Sequence, residues 1–397
     1  MFFWFDFNAL LFVSVPEPVC VPVFSSLIEF KKAALGHAIG HGHEMQTQHL
    51  SRILTPPKPN EATMSAPQKN SWQDALSTLI TDPDEFLNLL ELDRAMLAPA
   101  QTAALLFPLK VPRTYLRRIE KGNPRDPLLM QLLPHGFELE THKNFTTDPL
   151  QEADHNPVPG LLHKYESRVL ITLTSACAVH CRYCFRRHFP YSDNNPGTQG
   201  WDRMIDYIKN HHNINEVILS GGDPLAVSDH RLKEFTDKLA TISHIKRLRI
   251  HSRIPIVMPE RINAGLITWL QSLKWPIILV VHANHPNEIC EEVGVAMHAL
   301  KQIGVTLLNQ SVLLKDVNDD AAILTTLSEA LFAIGVLPYY LHLLDRVQGA
   351  AHFEVPITKA MTVYQELTAK LPGFLVPKLV REEPGKVSKT MLTSVQF

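Results

Sequence analysis

Short apolar runs recur at regular intervals through the chain from residue 168 onward. They begin at residues 168, 216, 247, 276, 305 and 337, and amphipathic stretches such as RLKEFTDKLATI separate them. Strands that alternate with helices at this spacing indicate parallel βα units. Because the runs lack a Gly-rich dinucleotide-binding fingerprint, we expect an α/β fold built as a partial (β/α)6 barrel over residues 161–380. A seventh run, GFLVPKLV (373–380), is expected to cover the open edge.

Polar residues follow each of the six apolar runs directly. The segments are CAVHCRYC, SGGDP, HSR, HANHPNE, NQS and LLD. In barrels of parallel strands, reactive side chains lie where the strands end and the βα loops begin. The sequence therefore predicts a single site that is built from these loops.

Three of the five cysteines lie in the first of these loops, with the spacing Cys177-x3-Cys181-x2-Cys184. Three thiolates on one short loop can ligate three irons of a [4Fe–4S] cluster and leave the fourth iron open. A zinc site is the alternative, with His180 or His188 as the fourth ligand that zinc requires.

The regions around the barrel have a different composition. We expect four parts: a low-order leader or mis-assigned start (1–64), a helical subdomain (65–160), the barrel (161–380) and a C-terminal segment (381–397). In the helical part, Asp82-Pro83 predicts the start of a helix. The net charge of −2 gives no electrostatic indication of nucleic-acid binding, and the apolar N-terminal stretch is too interrupted to span a membrane.

Several segments together resemble one known family. They are HKYESRVLITLTSACAVHCRYCFRRHFPYSDNNPG, SGGDPL, HSRIPIVMPERI, NHPNE, LLNQSVLLKDVND and PYYLHLLDRVQGAAHF. Over about residues 70–390 they resemble the lysine 2,3-aminomutase family of radical S-adenosylmethionine (SAM) enzymes. The resemblance implies a radical SAM barrel that holds a [4Fe–4S] cluster, SAM and pyridoxal 5′-phosphate (PLP). It also implies conversion of (S)-α-lysine to (R)-β-lysine, in which a 5′-deoxyadenosyl radical takes a hydrogen from the β-carbon and the nitrogen moves from α to β.

The same resemblance assigns roles to single residues. The residues that match its PLP-binding groups are Lys164, Tyr165, Arg168 and Lys389, with Lys389 as the covalent anchor. Those that match its SAM-binding segment are Ser220, Gly221, Gly222 and Asp223. Those that match its substrate-binding groups are Arg186 for the carboxylate, and Asp345 and Glu382 for the ε-ammonium. The side-chain chemistry of these residues agrees with the assigned roles. An amine can hold PLP covalently, cations bind a phosphate, and the planar guanidinium of arginine binds a carboxylate through two hydrogen bonds.

Within the family, the chain most resembles members that supply β-lysine for modification of elongation factor P. That resemblance implies lysine as substrate, a reductant such as flavodoxin or ferredoxin, a lysyl ligase and elongation factor P as functional partners, and a cytoplasmic location. The chain has no cysteine after Cys290, so we expect no structural zinc of the kind found in the free-lysine enzymes. A free-metabolite lysine or glutamate aminomutase remains an alternative, as does a non-catalytic iron–sulfur protein for electron transfer.

Overall fold

A computed structural model describes residues 71–194 and 197–392, and within them nine strands form one sheet. The strands are β1 (Leu161–Tyr165), β2 (Arg168–Thr172), β3 (Glu216–Ser220), β4 (Arg247–Ser252), β5 (Ile277–Val281), β6 (Thr306–Leu313), β7 (Leu337–Leu343), β8 (Lys378–Arg381) and β9 (Thr390–Met391). Neighbours in the sheet follow chain order. Strands β2 to β8 are parallel, and β1 and β9 are antiparallel at the two edges.

A helix follows each of the six strands β2 to β7. The helices that lead to the next strand are α6 (Gly197–Asn210), α7 (Asp229–Leu239), α9 (Ala264–Gln271), α10 (Glu291–Gln302), α11 (Ala321–Ala333) and α12 (Ile357–Lys370), and a short α8 (Ile254–Val257) precedes α9. The partial (β/α)6 barrel is therefore confirmed. The seventh run divides into a 3-10 turn, Gly373–Leu375, and the strand β8, which pairs with β7.

Side chains alternate between the two faces of the barrel strands. In β4, Leu248 and Ile250 are buried in the main hydrophobic core, whereas Arg249 and His251 point to the opposite face. This period of two is the geometry of a strand with one apolar face against helices. The polar face of the sheet therefore lines the interior of the barrel.

Helices precede the sheet in the described part of the chain. They are α1 (Ser71–Ser77), α2 (Pro83–Leu89), α3 (Leu97–Leu106), α4 (Arg113–Leu116) and α5 (Pro127–Met130), joined by short 3-10 helices at Arg94–Met96, Gly136–Leu139 and Glu152–His155. Asp82 caps α2 by accepting from the Asp84 amide at 3.0 Å. Phe86 and Tyr115 from these helices are fully buried in the same core as the barrel. The predicted leader, residues 1–64, lies outside the described residues, and no helix among those described is long and apolar enough to cross a membrane.

Candidate active site

The three cysteines of the triplet lie together on the loop that follows β2. Burial raises the pKa of Cys177, and nearby Asp223, Cys184 and Cys181 raise it further. Burial also raises the pKa of Cys184 to about 11, with Cys181 as the next cause. The three thiols are thus close enough to repel one another as thiolates. Bound iron would relieve that repulsion, because it stabilises the deprotonated ligand.

Within residues 71–194 and 197–392, no three His, Cys, Asp or Glu side chains are grouped as ligands of a single metal ion. An iron–sulfur cluster requires a different arrangement of ligands, because each cysteine binds a different iron atom. The donor set of this loop, three free cysteines on one short segment, fits a cluster.

A buried ion-pair network holds the cysteine loop in position. Arg182, between the second and third cysteines, is fully buried and donates to both carboxylate oxygens of Glu138 at 2.8 and 2.5 Å. Arg187 donates to the same carboxylate at 2.6 Å. Glu138 belongs to a 3-10 helix of the N-terminal part, so the helices before the barrel hold the loop in place.

Close packing explains why the two residues after β3, Gly221 and Gly222, are glycines. A Cβ on Gly222 would lie 2.5 Å from the Thr174 carbonyl oxygen and 2.8 Å from that of Ala176. The backbone of Gly221 has a φ of +99°, and a Cβ there would meet the Thr172 side chain at 2.5 Å. Only glycine allows this close approach of the β3 loop to the start of the cysteine loop. The predicted SAM-binding segment therefore lies directly against the cluster loop.

The carboxylate of Asp223 joins two loops at the carboxyl ends of β3 and β4. It accepts from the Ser252 hydroxyl at 2.7 Å and from the amides of Arg253 at 2.8 Å and Ile254 at 3.1 Å. The amide of Leu225 donates to it at 3.0 Å. All four donors belong to this chain, so the structure makes Asp223 a link between the loops after β3 and β4. Its predicted role in binding SAM stays a prediction.

Lys389 lies at the opposite edge of the sheet, beside three other predicted site residues. Its ammonium forms an ion pair with Glu382, and the same carboxylate accepts from Lys164 at 2.9 Å and from the Tyr165 hydroxyl. Burial acts to raise the pKa of Glu382, but Lys389 and the hydrogen bonds outweigh it and bring that pKa to about 2. Lys386, the other lysine nearby, is exposed. The structure thus brings Lys389, Glu382, Lys164 and Tyr165 together.

Arg168 has no carboxylate partner within ion-pair distance in the described part of the chain. Its guanidinium lies 4.2 Å from the centre of the Tyr165 ring, and it contacts that ring face instead. Lys164, four residues before it, lies 5.8 Å from the same ring centre. Two cations beside one aromatic ring form a donor set that fits a phosphate attached to a planar ring.

Arg186 makes a bidentate ion pair with a carboxylate of this chain. Its Nε and Nη2 donate to the two oxygens of Glu152 at 2.8 and 2.6 Å, and its Nη1 lies 3.4 Å from the Ser220 hydroxyl. Both charged side chains are largely buried. Burial alone would lower the pKa of Arg186, but Glu152 raises it above its ordinary value. The sequence did not indicate Glu152, which lies 34 residues before its partner.

Asp345 follows β7 and belongs to the same interior. Burial raises its pKa to about 7, with Lys389 opposing and Glu382 and Glu152 adding to the shift. Both predicted ammonium-binding carboxylates and Lys389 therefore share one electrostatic environment. Charges from both ends of the site act on His251. Its pKa is lowered by burial and by the charges of Arg249, Lys389 and Arg186.

Some buried polar atoms that line this interior have no hydrogen-bond partner among the described residues. They include Thr172 Oγ1, His251 Nε2 and His342 Nε2. Burial lowers the pKa of His342 to about 3 and that of His282 to about 3, so both imidazoles are neutral. Because unpaired buried polar atoms are costly, the presence of these three fits an interior that holds polar ligands. The sequence pointed to these histidines only through the HSR, HANHPNE and PYYLH segments.

The chain matches a family model described as a 4Fe-4S single cluster domain over residues 167–250, which include all three cysteines of the loop. It is also similar to solved structures, among them a radical SAM methyltransferase from Sphaerobacter thermophilus. That likeness has a TM-score of 0.40 and 16% identity, and it covers 56% of this chain and 68% of the other, too little to add to the fold assignment.

Curated relatives match over most of their length. The chain is 50% identical to an L-lysine 2,3-aminomutase of Escherichia coli (strain K12), over 83% of this chain and 96% of that one. It is 47% identical to an L-lysine 2,3-aminomutase of Haemophilus influenzae, over 82% and 96%. It is 37% identical to one of Clostridium subterminale, over 81% and 77%. With identities this high over this much of each relative, the chain belongs to the L-lysine 2,3-aminomutase family of radical SAM enzymes, which are isomerases.

Proposed function

We propose that this enzyme is a PLP-dependent L-lysine 2,3-aminomutase that converts (S)-α-lysine to (R)-β-lysine. The observation that carries the proposal is the group of Lys389, Glu382, Lys164 and Tyr165 inside the barrel. It brings together a reactive amine, a carboxylate and an aromatic ring from the two edges of the sheet, because Glu382 follows β8 and Tyr165 belongs to β1.

The residues present fit PLP. Lys389 supplies the amine, Arg168 and Lys164 supply positive charge for the phosphate, and Tyr165 supplies a ring for stacking. When bound, PLP would supply a conjugated ring that delocalises an unpaired electron during the nitrogen shift, while the cluster and SAM would supply the radical that starts it. Glu382 would hold the Lys389 side chain in place until it meets the cofactor.

The charges of the interior favour lysine. Arg186 would bind the α-carboxylate, and Asp345 with Glu382 would receive the ε-ammonium. Glutamate would instead bring its second carboxylate toward these two acidic side chains, and like charges at close range repel. This arrangement supports a lysine enzyme over the alternative of a glutamate aminomutase.

The barrel would also exclude water from the reaction. His251, His282 and His342 are neutral, because burial of their rings lowers the pKa of each, so they add polar contacts without adding charge. Neutral side chains attract less water than charged ones, and the exclusion of water protects a reactive radical from side reactions.

We further propose that the product serves modification of elongation factor P, in the cytoplasm, with a lysyl ligase downstream and a flavodoxin or ferredoxin as electron donor. The motifs that resemble this branch of the family support the proposal. Mass spectrometry of elongation factor P from cells with and without this enzyme tests it, since only the first should carry β-lysine.

The activity itself is tested by anaerobic assay of the purified enzyme with SAM, PLP, reductant and either lysine or glutamate. Chiral chromatography should find (R)-β-lysine from lysine and no β-glutamate. The Cys184→Ala variant, which lacks one cluster ligand, should form neither. A β-amino product from glutamate alone would contradict the proposed substrate.

A further inference from the structure

Arg253 lies directly against one of the cluster cysteines. Its Nη1 is 2.7 Å from Cys181 Sγ, and the arginine is 4% exposed. It belongs to the HSR segment that follows β4 and is brought to Cys181 across 72 positions of the chain. Its guanidinium also lies 5.5 Å from the centre of the Tyr183 ring, which belongs to the cysteine loop.

The guanidinium is held from several sides. Its Nη2 donates to Gln131 Oε1 at 2.7 Å and to Glu288 Oε2 at 3.0 Å. Its backbone amide donates to Asp223 at 2.8 Å. These contacts leave the side chain one position, with Nη1 directed at the sulfur.

Glu288, which anchors Arg253, is itself fixed by the loop after β5. Its Oε1 accepts from the amides of Asn284 at 2.7 Å and His285 at 3.1 Å, and its side chain is fully buried. The Asn284 side chain donates to Gln131 at 3.0 Å and to the Tyr183 hydroxyl at 2.7 Å. The HSR and NHPNE segments thus form one buried polar network around the Cys181 side of the cluster loop.

A fixed cation with an N–H donor at a ligand sulfur has a definite electrostatic effect. Reduction of a [4Fe–4S] cluster by one electron adds one negative charge. A hydrogen bond to a ligand sulfur and a nearby positive charge both stabilise the more negative state, so they raise the reduction potential. The Glu288 carboxylate opposes this effect, but it binds Nη2, whereas the sulfur accepts from Nη1.

We propose that Arg253 is a positioning residue that sets the reduction potential of the cluster through its N–H···S bond to Cys181. It makes the cluster reducible by a one-electron protein donor, and Gln131 and Glu288 act through it by holding the guanidinium. The inference rests on the cluster assignment, and the iron content of the wild-type enzyme tests that assignment separately.

The test is a redox titration of the reconstituted full-length enzyme, followed by electron paramagnetic resonance. In Arg253→Met, the ratio of reduced to oxidised cluster at a fixed ambient potential should fall at least tenfold, which equals a shift of about 59 mV to more negative values for one electron. Arg247→Met is the matched control, because Arg247 begins β4, the strand that Arg253 follows, and its side chain is 45% exposed. It should keep the wild-type potential. An unchanged potential in an Arg253→Met protein with full iron content would overturn the proposal.

A double variant separates two effects of the substitution: loss of the N–H···S bond and loss of the positive charge that neutralises the Glu288 carboxylate. Arg253→Met/Glu288→Gln removes both charges, so a return to the wild-type potential would mean that uncovered Glu288 caused the shift. A potential that stays low supports the N–H···S bond.

A measurement on the wild-type enzyme does not depend on any variant folding. With arginine labelled with ¹⁵N in the guanidinium, pulsed electron paramagnetic resonance of the reduced cluster should detect a coupled ¹⁵N nucleus. Absence of any such coupling in a fully loaded enzyme would overturn the proposal.

Discussion

Glu382 and Lys389 face each other across the hairpin that joins β8 to β9, and their side chains form an ion pair. Arg381 is paired with Thr390 in that hairpin, so residues 382 and 389 are the next positions on its two arms. The same carboxylate binds two side chains of β1, at the other edge of the sheet. One acidic residue therefore links the two edges of the barrel at the proposed PLP anchor.

Substitution of Lys389 tests the anchor. Borohydride reduction of the PLP-loaded enzyme followed by peptide mapping should place the pyridoxyl label on Lys389. Lys389→Ala should lose the label and the activity, because its amine is the one that lies against Glu382. Lys386→Ala is the control and should keep both, since Lys386 is exposed. A label on Lys386 would contradict the assignment.

Replacement of Glu382 by Gln should destabilise the enzyme in a pH-dependent way. The folded-state pKa of about 2 lies below the ordinary value of 4.5, so the carboxylate stabilises the fold above pH 4.5 and loses this effect as pH falls through 2. The variant should lose about 3 kcal/mol at pH 7 and roughly half that at pH 3.

Urea unfolding at the two pH values measures this difference. Glu383→Gln is the matched control, because Glu383 is the neighbouring acid and its side chain bonds only to Thr390 among the described residues. Its cost should be roughly 0.5 kcal/mol at both pH values. An equal cost for both variants would show that the contacts of Glu382 with β1 add nothing to stability.

The affinity for lysine should rise with pH around neutrality. Burial raises the pKa of Asp345 to about 7, and only its ionised form attracts an ammonium group. Between pH 6 and pH 8 the dissociation constant for lysine should therefore fall roughly tenfold. In Asp345→Asn the dissociation constant should be higher and should lose most of this dependence. Equilibrium binding across this range checks it, and an unchanged slope in the variant would assign the dependence elsewhere.

Each cysteine of the triplet should be needed for the cluster. Cys177→Ala, Cys181→Ala and Cys184→Ala should each lose iron and activity, because each removes the ligand of one iron. Cys290→Ala should keep both, since Cys290 lies outside the loop. Iron and sulfide analysis after anaerobic reconstitution measures the outcome. Full iron content in any of the three would contradict the cluster ligation.

Arg186→Lys should weaken lysine binding while leaving PLP bound. Lysine keeps the charge but loses the bidentate guanidinium, so KM should rise by the equivalent of about 1–3 kcal/mol of binding free energy. Glu152→Gln is the informative partner, because Glu152 occupies the Nε and Nη2 donors of Arg186. If Glu152 only competes with the substrate carboxylate, this variant should lower KM. Lost PLP with unchanged KM in Arg186→Lys would mean that Arg186 serves the cofactor.

Local patterns account for what the sequence by itself determined. The strands β2 to β7 were predictable because each is a short apolar run bounded by polar loop residues, and the cysteine triplet because cluster ligation demands a fixed short spacing. The edge strands gave no such signal. β9 has two residues, and β1 contains the polar Lys164 at a site position.

Only the tertiary structure decided which distant side chains meet. Lys164 and Glu382 are 218 positions apart, and Arg253 and Cys181 are 72 apart. Such pairs form because the sheet twists and curves, which brings the carboxyl ends of separate strands and both sheet edges around one interior. Curvature is a property of the whole sheet and its packed helices, so no local pattern of residues encodes which charges it will bring together.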